Sequence, residues 1–168
     1  MDPADITFRP ITPDDAEFLY SVYANTRTEE LSTVDWTDSQ KEEFLRSQFG
    51  LQHEAYQATY KDADFLVILQ QSQPVGRLYL SRREQEIRIV DIALLPAYRN
   101  GGIGGAILRD ILAEGARTGK RVTIHVEMFN PALALYGRLG FRKLEEHGVY
   151  YFMEWTPGSQ AASGRVPA

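Results

Sequence analysis

The stretch that most constrains this chain is Pro96-Ala97-Tyr98-Arg99-Asn100-Gly101-Gly102-Ile103-Gly104-Gly105. Before it runs a nearly all-apolar segment, Val90-Asp91-Ile92-Ala93-Leu94-Leu95, which reads as the end of a strand in the middle of a sheet. After it, Ile103, Ile107, Leu108, Ile111 and Leu112 fall on one face of a helix that stops at Gly119. Strand, glycine-rich turn and helix in that order bring free backbone N–H groups and the positive end of a helix dipole to one point. Glycines at 101, 102, 104 and 105 remove side chains that would hold an anion away from the backbone, and Arg99 adds positive charge beside them. The chemistry expected there is a cradle for a pyrophosphate.

Other glycine motifs fit less well. A dinucleotide fingerprint counted from Gly102 would need its third glycine at Ile107, and the preceding segments read as antiparallel hairpins rather than a parallel sheet. A phosphate-loop nucleotide site needs Gly-Lys before Ser or Thr, whereas Gly119-Lys120 precedes Arg121 at the wrong end of the helix. There remains a turn whose glycines only let the helix pack closely on the strand.

Around this centre the chain alternates helix and strand signals. Ile6 to Arg9 alternates apolar and polar residues, and Thr12-Pro13-Asp14-Asp15 starts a helix running to about Asn25. Thr37 with Gln40 forms a capping box for a second helix ending near Tyr60. Phe65 to Leu69, Val75 to Leu80 and Glu86 to Leu95 read as a three-strand meander with its first turn at Gln71 to Pro74. Beyond Gly119 come a strand at Val122 to Val126, a short helix at Pro131 to Leu139, and a closing pair, Phe141 to Glu145 and Val149 to Trp155, around His147-Gly148.

With 168 residues, 43% of them hydrophobic, the chain can bury one core but hardly two, so one domain over 1–156 is expected, followed by a flexible polar tail at 157–168. The absence of cysteine excludes disulfides, thiolate metal sites and a cysteine nucleophile, and no metal site is expected. A net charge of -5 argues against nucleic acid as a partner. There is no apolar run long enough to cross a bilayer, and Met1-Asp2-Pro3-Ala4-Asp5 is unlike a signal peptide, so no membrane association and a cytoplasmic location are expected.

Arg99-x-x-Gly102-x-Gly104 resembles the coenzyme A motif of the GNAT superfamily of N-acetyltransferases, Q/R-x-x-G-x-G/A, and stands after the strand where that family carries it. A second block, Asn130-Pro131-Ala132-Leu133-Ala134-Leu135-Tyr136-Gly137-Arg138-Leu139-Gly140-Phe141, is similar to the family's later motif of Asn, small helix, Tyr and Gly-Phe. The resemblance runs from about Ile6 to Trp155 in element order and is sharp from about Asp91 to Phe141. It implies an α/β (α+β) fold of GNAT type: a mixed, mostly antiparallel sheet of about six to seven strands flanked by about four helices. It also implies acetyl-CoA as co-substrate, acetyl transfer to a primary amine of a small molecule or peptide by direct attack, and pairing into a homodimer.

The family's roles carry over residue by residue. Ile92, Ala93 and Leu94 would offer backbone groups to the pantetheine arm, the N–H of Leu94 polarising the thioester carbonyl. Asn100, Gly101, Gly102, Ile103, Gly104 and Gly105 would hold the pyrophosphate, with Arg99 beside it. Asn130 would lie near the pantetheine end, or cap the helix at Pro131, or both. Tyr136 matches the tyrosine that protonates the leaving thiolate, against the alternative of a core tyrosine.

The residues leave the general base open among Glu86, Asp91, His125 and Glu127, each of which has a structural reading as well. Asp91 is an acid in an apolar stretch, hence paired or functional. Position in the family's fold places Glu29, Glu30, Asp35, Trp36, Tyr150 and Tyr151 near the amine. The rival to an enzyme is a non-catalytic acyl-CoA-binding sensor or regulatory module.

Overall fold

The computed structural model describes residues 5–158. Its strands are β1 (Ile6–Pro10), β2 (Asp64–Gln70), β3 (Gln73–Arg82), β4 (Glu86–Leu94), β5 (Arg121–Glu127), β6 (Arg142–His147) and β7 (Tyr150–Trp155). Its helices are α1 (Ala16–Asn25), α2 (Thr28–Leu31), α3 (Asp38–Thr59), α4 (Ile103–Thr118) and α5 (Leu133–Arg138). The strands form one seven-stranded mixed sheet in the order β1-β2-β3-β4-β5-β7-β6. This is the mixed architecture expected from the sequence, with the short α2 added in what reads as a polar connection. Most of the expected tail, residues 159–168, lies outside the described residues.

Packing divides the chain into two compact units: one takes the chain up to Tyr79 together with Ile92–Gly101, the other Leu80–Asp91 and the chain from Gly102 onward. In the first, β1 pairs antiparallel with β2 from Ile6↔Gln70 to Pro10↔Leu66, and Leu19, Val22, Val67, Ile68, Val75, Leu78 and Tyr79 are buried. Helix α3 starts where the capping box places it. Gln40 N–H donates to Thr37 Oγ1 at 3.1 Å and Thr37 N–H to Gln40 Oε1 at 2.8 Å. Its Phe49 meets Tyr20 and Tyr23 of α1 with ring centroids 6.0 and 5.9 Å apart. The β2–β3 turn is tighter than its sequence suggests. Gln71 and Ser72 take positive φ of 49° and 70°, a two-residue hairpin turn usually made by Asn-Gly, and Pro74 lies inside β3.

In the second unit, β4 and β5 are parallel from Glu86↔Arg121 to Ile89↔Ile124, and β7 lies antiparallel between β5 and β6. Val122, Ile124 and Val126 of β5 and the Ile103, Ile107, Leu108 and Ile111 face of α4 are buried. Gly115 lets α4 sit close to its neighbours, for a Cβ there would stand 2.9 Å from the Lys120 carbonyl oxygen and 3.0 Å from Trp155 Cζ3. Helix α4 ends at Gly119 with a φ of 69°, a left-handed cap.

One ion pair ties β1 to the entrance of α1. Arg9 grips Asp15 through two N–H···O bonds of 2.8 Å, and the Thr12 N–H donates to the same carboxylate at 2.7 Å. The Arg9 guanidinium, outweighing the burial that opposes it, holds the Asp15 carboxyl at about 2 against an ordinary 3.8. A carboxyl depressed on folding contributes stability that is complete above its unfolded value and disappears as pH falls through its folded one. Urea unfolding should therefore show wild type more stable than Asp15→Asn at pH 7, with the difference closing between about pH 4 and pH 2; a difference independent of pH would contradict the ion pair.

Candidate functional site

The end of β4 is where the sheet stops occupying backbone groups. The ladder to β5 ends at Ile89↔Ile124, although β4 runs on to Leu94. On the β3 side the Leu95 N–H still donates to the Val75 carbonyl at 2.9 Å. Residues alternate along a strand, so the N–H and C=O of Leu94 face away from β3. Its carbonyl accepts from Arg99 Nε at 2.9 Å, leaving the N–H as the group this residue can offer a ligand.

A single 3-10 turn, Pro96–Tyr98, carries the chain from β4 into the glycine-rich segment. There Asn100 has a φ of 63° and Gly102 of 91°, left-handed values that asparagine tolerates and glycine adopts without strain. The N-terminus of α4 has no side-chain cap and no acidic residue in its first turn. The Ala106 N–H closes the first turn onto the Gly102 carbonyl at 3.0 Å, so the N–H groups of Ile103, Gly104 and Gly105 lie in the part of a helix that has no internal partners. Sixteen residues of helix stand behind them to supply a dipole.

The two arginines here divide differently from what the sequence leads one to expect. Arg99 commits its guanidinium to backbone carbonyls, Leu94 through Nε and Asn25, the last residue of α1, through Nη2 at 3.4 Å. It acts as a strut from the end of β4 to the C-terminal end of α1, where a cation also suits the helix dipole. Arg109, nearly two turns into α4, folds back so that its Nη1 would lie 3.2 Å from a Cβ at Gly105. Sequence reasoning passed over Arg109; the signal was its position four residues after Gly105, on the same face of the helix.

Tyr136 lies in α5 and is only 3% exposed, its ring edge-on to Phe141 at 5.5 Å. Burial first, and then the carboxylate of Asp91, push its phenol well above the ordinary range. Tyr136 and Asp91 are thus brought within electrostatic reach of each other. Asn130 does not cap α5, which starts only at Leu133 with Ala132 as its N-cap; its side-chain oxygen accepts from the Ala132 N–H at 2.8 Å in the turn ahead of the helix, which leaves its amide nitrogen for any ligand.

The other candidate bases separate. Glu86 is at the start of β4, five residues from Asp91 and so about 16 Å along the strand. Its carboxylate meets Thr123 Oγ1 in a very short contact, Arg88 at 3.2 Å, Arg121 at 3.4 Å and Arg83 at 3.8 Å. Burial works against its charge, but the Thr123 bond and these guanidiniums together hold it below the usual carboxylate range. A carboxylate held that way is a structural anion and a weakened proton acceptor. His125 is exposed on β5, its ring 4.9 Å from Phe152 and 5.9 Å from His147. Burial of part of the ring, Arg88 and His147 push it below its ordinary value. Glu127 closes β5 opposite Tyr150.

Among the residues expected to face an acceptor, Glu29 and Glu30 are exposed on α2, Glu30 lying 3.5 Å from Arg27. Trp36 is 42% exposed and stacks edge-on with Phe44 at 5.3 Å, a pairing not foreseen. Tyr150 opens β7, and Tyr151 carries Lys143 Nζ 4.1 Å over its ring. Among the described residues no helix is long and apolar enough to cross a membrane, and no group of three or more His, Asp or Glu is placed to hold a metal.

Parts of this chain recur in known proteins. Mycothiol acetyltransferases from Corynebacterium glutamicum (strain R) and Corynebacterium efficiens are 36% and 33% identical to it over 97 residues, 54% of this chain. The chain spans about a third, 32%, of the length of those relatives. Among solved structures, the PaiA N-acetyltransferase from Thermoplasma acidophilum in complex with coenzyme A superposes with a TM-score of 0.66 at 19% identity, covering 90% of this chain and 98% of that one. An acetyltransferase from Thermus thermophilus gives 0.64 at 18%, covering 93% and 99%. The model of the acetyltransferase (GNAT) family matches residues 25–141, from the end of α1 through both motifs, and the chain belongs to that family.

Proposed function

We propose that this chain binds acetyl-CoA at the turn 99–105 and transfers the acetyl group to a primary amine of a small molecule or peptide within a ternary complex. The observation that carries the reading is the uncapped N-terminus of α4, with left-handed backbone at Asn100 and Gly102, directly after the end of β4 that no longer pairs with β5. Such a terminus favours a diphosphate by its N–H groups and dipole together, and Arg109 adds a charge over the first turn. The relatives named mycothiol acetyltransferase support an acceptor of small-molecule size.

In this reading the Leu94 N–H donates to the thioester oxygen and stabilises the charge that develops there. The amine nitrogen forms its bond to the carbonyl carbon as the carbon–sulfur bond breaks, and the departing thiolate takes the phenolic proton of Tyr136. The amine gives up its own proton to Asp91, Glu127 or His125, directly or through water. Tyr136 is certain to hold its proton at neutral pH, but its burial also makes it a reluctant donor. That reluctance favours the second reading, an acyl-CoA-binding sensor, and it can be tested directly.

Thiol release from acetyl-CoA, followed across a panel of amines and short peptides beside calorimetry of coenzyme A, is expected to show binding and release with one acceptor class. Binding without release by any amine would favour the sensor, and no binding would refute the assignment. Gly104→Glu places a carboxylate in the first turn of α4 at a helical backbone position. It should abolish coenzyme A binding and leave the circular dichroism spectrum unchanged; a folded variant of unaltered affinity would remove the pyrophosphate from this turn. Tyr136→Phe should bind coenzyme A as wild type does and turn over roughly tenfold to a thousandfold more slowly. Full-rate turnover would mean that the phenol is packing only.

A further inference from the structure

Gly76 lies in the middle of β3 and is buried. A Cβ on it would overlap the carbonyl oxygen of Ala93, and would stand 2.9 Å from Leu94 Cδ2 and 3.1 Å from Leu94 Cα. A regular pleated neighbour leaves room for a side chain on every residue, so β4 has turned the Ala93 carbonyl onto the space that glycine alone leaves open. The reason for glycine here is that approach, for its φ is not among the positive values of the chain.

The Ala93 carbonyl and the Leu94 N–H belong to one planar trans peptide and point in opposite directions. Whatever aims the carbonyl also aims the N–H. With the carbonyl seated on Gly76, the Leu94 N–H points away from β3, and the following groups lock that pose: the Leu94 carbonyl on Arg99 Nε at 2.9 Å and the Leu95 N–H on the Val75 carbonyl at 2.9 Å. We infer that Gly76 is a positioning residue for acyl transfer, its missing side chain being the seat that orients the Ala93–Leu94 peptide and so aims the Leu94 N–H at the thioester oxygen. The inference rests on the acyltransferase reading above and adds a residue of β3 to it.

A side chain at 76 must push the carbonyl off its seat and rotate the N–H with it, while the turn 99–105 keeps its own geometry. Gly76→Ala should therefore keep coenzyme A affinity and the KM for acetyl-CoA within about threefold and lower kcat by roughly tenfold to a hundredfold, short of the full loss of an oxyanion donor. Gly115→Ala serves as the control. It inserts into α4 a Cβ that would stand 2.9 Å from the Lys120 carbonyl oxygen and 3.0 Å from Trp155 Cζ3, and should lower the melting temperature while keeping kcat within about twofold when assayed well below the transition.

If Gly76→Ala does not fold, the double variant Gly76→Ala/Leu94→Ala removes the side-chain part of the clash and keeps the carbonyl part. It should fold and still show the kcat loss. Wild-type kcat in a folded Gly76→Ala or in the double variant, or a loss no larger than that of Gly115→Ala, would overturn the positioning role. A wild type that neither binds coenzyme A nor releases thiol would take the acyltransferase reading down together with this one, whereas an active wild type beside an equally active variant sinks this one alone.

Discussion

The arrangement depends on the requirement that every backbone N–H and C=O be paired, solvated or put to use. A central strand normally pairs both of its edges with neighbours. β4 does so up to Ile89 and then keeps only β3, where the bond from Leu95 to Val75 continues the pairing. The groups freed on its other edge are followed within a few residues by the orphan N–H groups of α4. Two different sources of unmatched donors, a strand edge and a helix start, thus occur in one continuous run of chain from Ile92 to Gly105.

What holds this run in place lies at its flanks. At the start of β4, Glu86 gathers Thr123, Arg88 and Arg121, and Arg121 also bonds Glu154 at 2.7 Å, which ties β4, β5 and β7 together through charge. The network is half-buried and anchors the start of β4, while the end that no longer pairs with β5 is held by Arg99 and by the close approach of Gly76. Removing one partner of such a cluster strands the others, so its members read as framework and not as acid–base groups.

The glycine-rich turn, the helix after it and the order of elements were legible because each has a strong local cause: a periodic apolar face, a left-handed stop, a capping box at Thr37 and Gln40. The site was less legible wherever the cause is non-local. Gly76 sits between Val75 and Arg77 in β3, and nothing in that strand's sequence says that its neighbour across the sheet is the Ala93 carbonyl. Arg99 was read as an anion ligand because it adjoins the glycines, yet carbonyls at the ends of β4 and α1 claim its guanidinium first. Glu86 and Asp91 looked alike as acids on one strand, and only the pairing of β4 with β5 shows that the first is surrounded by cations and the second lies by a buried phenol. The hairpin between β2 and β3 was legible as a turn at Gln71 to Pro74, but its two-residue form was not, because Gln71 and Ser72 accept positive φ at a cost that no propensity rule assigns them.

A chain of net charge -5 can still present an anion site, because the charges that matter act over a short range. Surface charges are screened over about 8 Å at physiological salt, and the field of a helix start is felt chiefly within its first turn. That turn holds no acid, and Arg109 folds back over it, so a phosphate there meets N–H groups and a cation before it meets the protein's net charge. In the proposed transfer, the excess of acids bears mainly on the acceptor amine. A primary amine is protonated near neutrality and is drawn toward an acidic surface, but it must be neutral to attack, so attraction and reactivity make opposite demands on its proton. In the proposed transfer, a site that met both demands would need an acceptor for that proton with little charge of its own at pH 7; among the proposed bases His125, whose pKa partial burial and Arg88 lower, answers that need more directly than a carboxylate does.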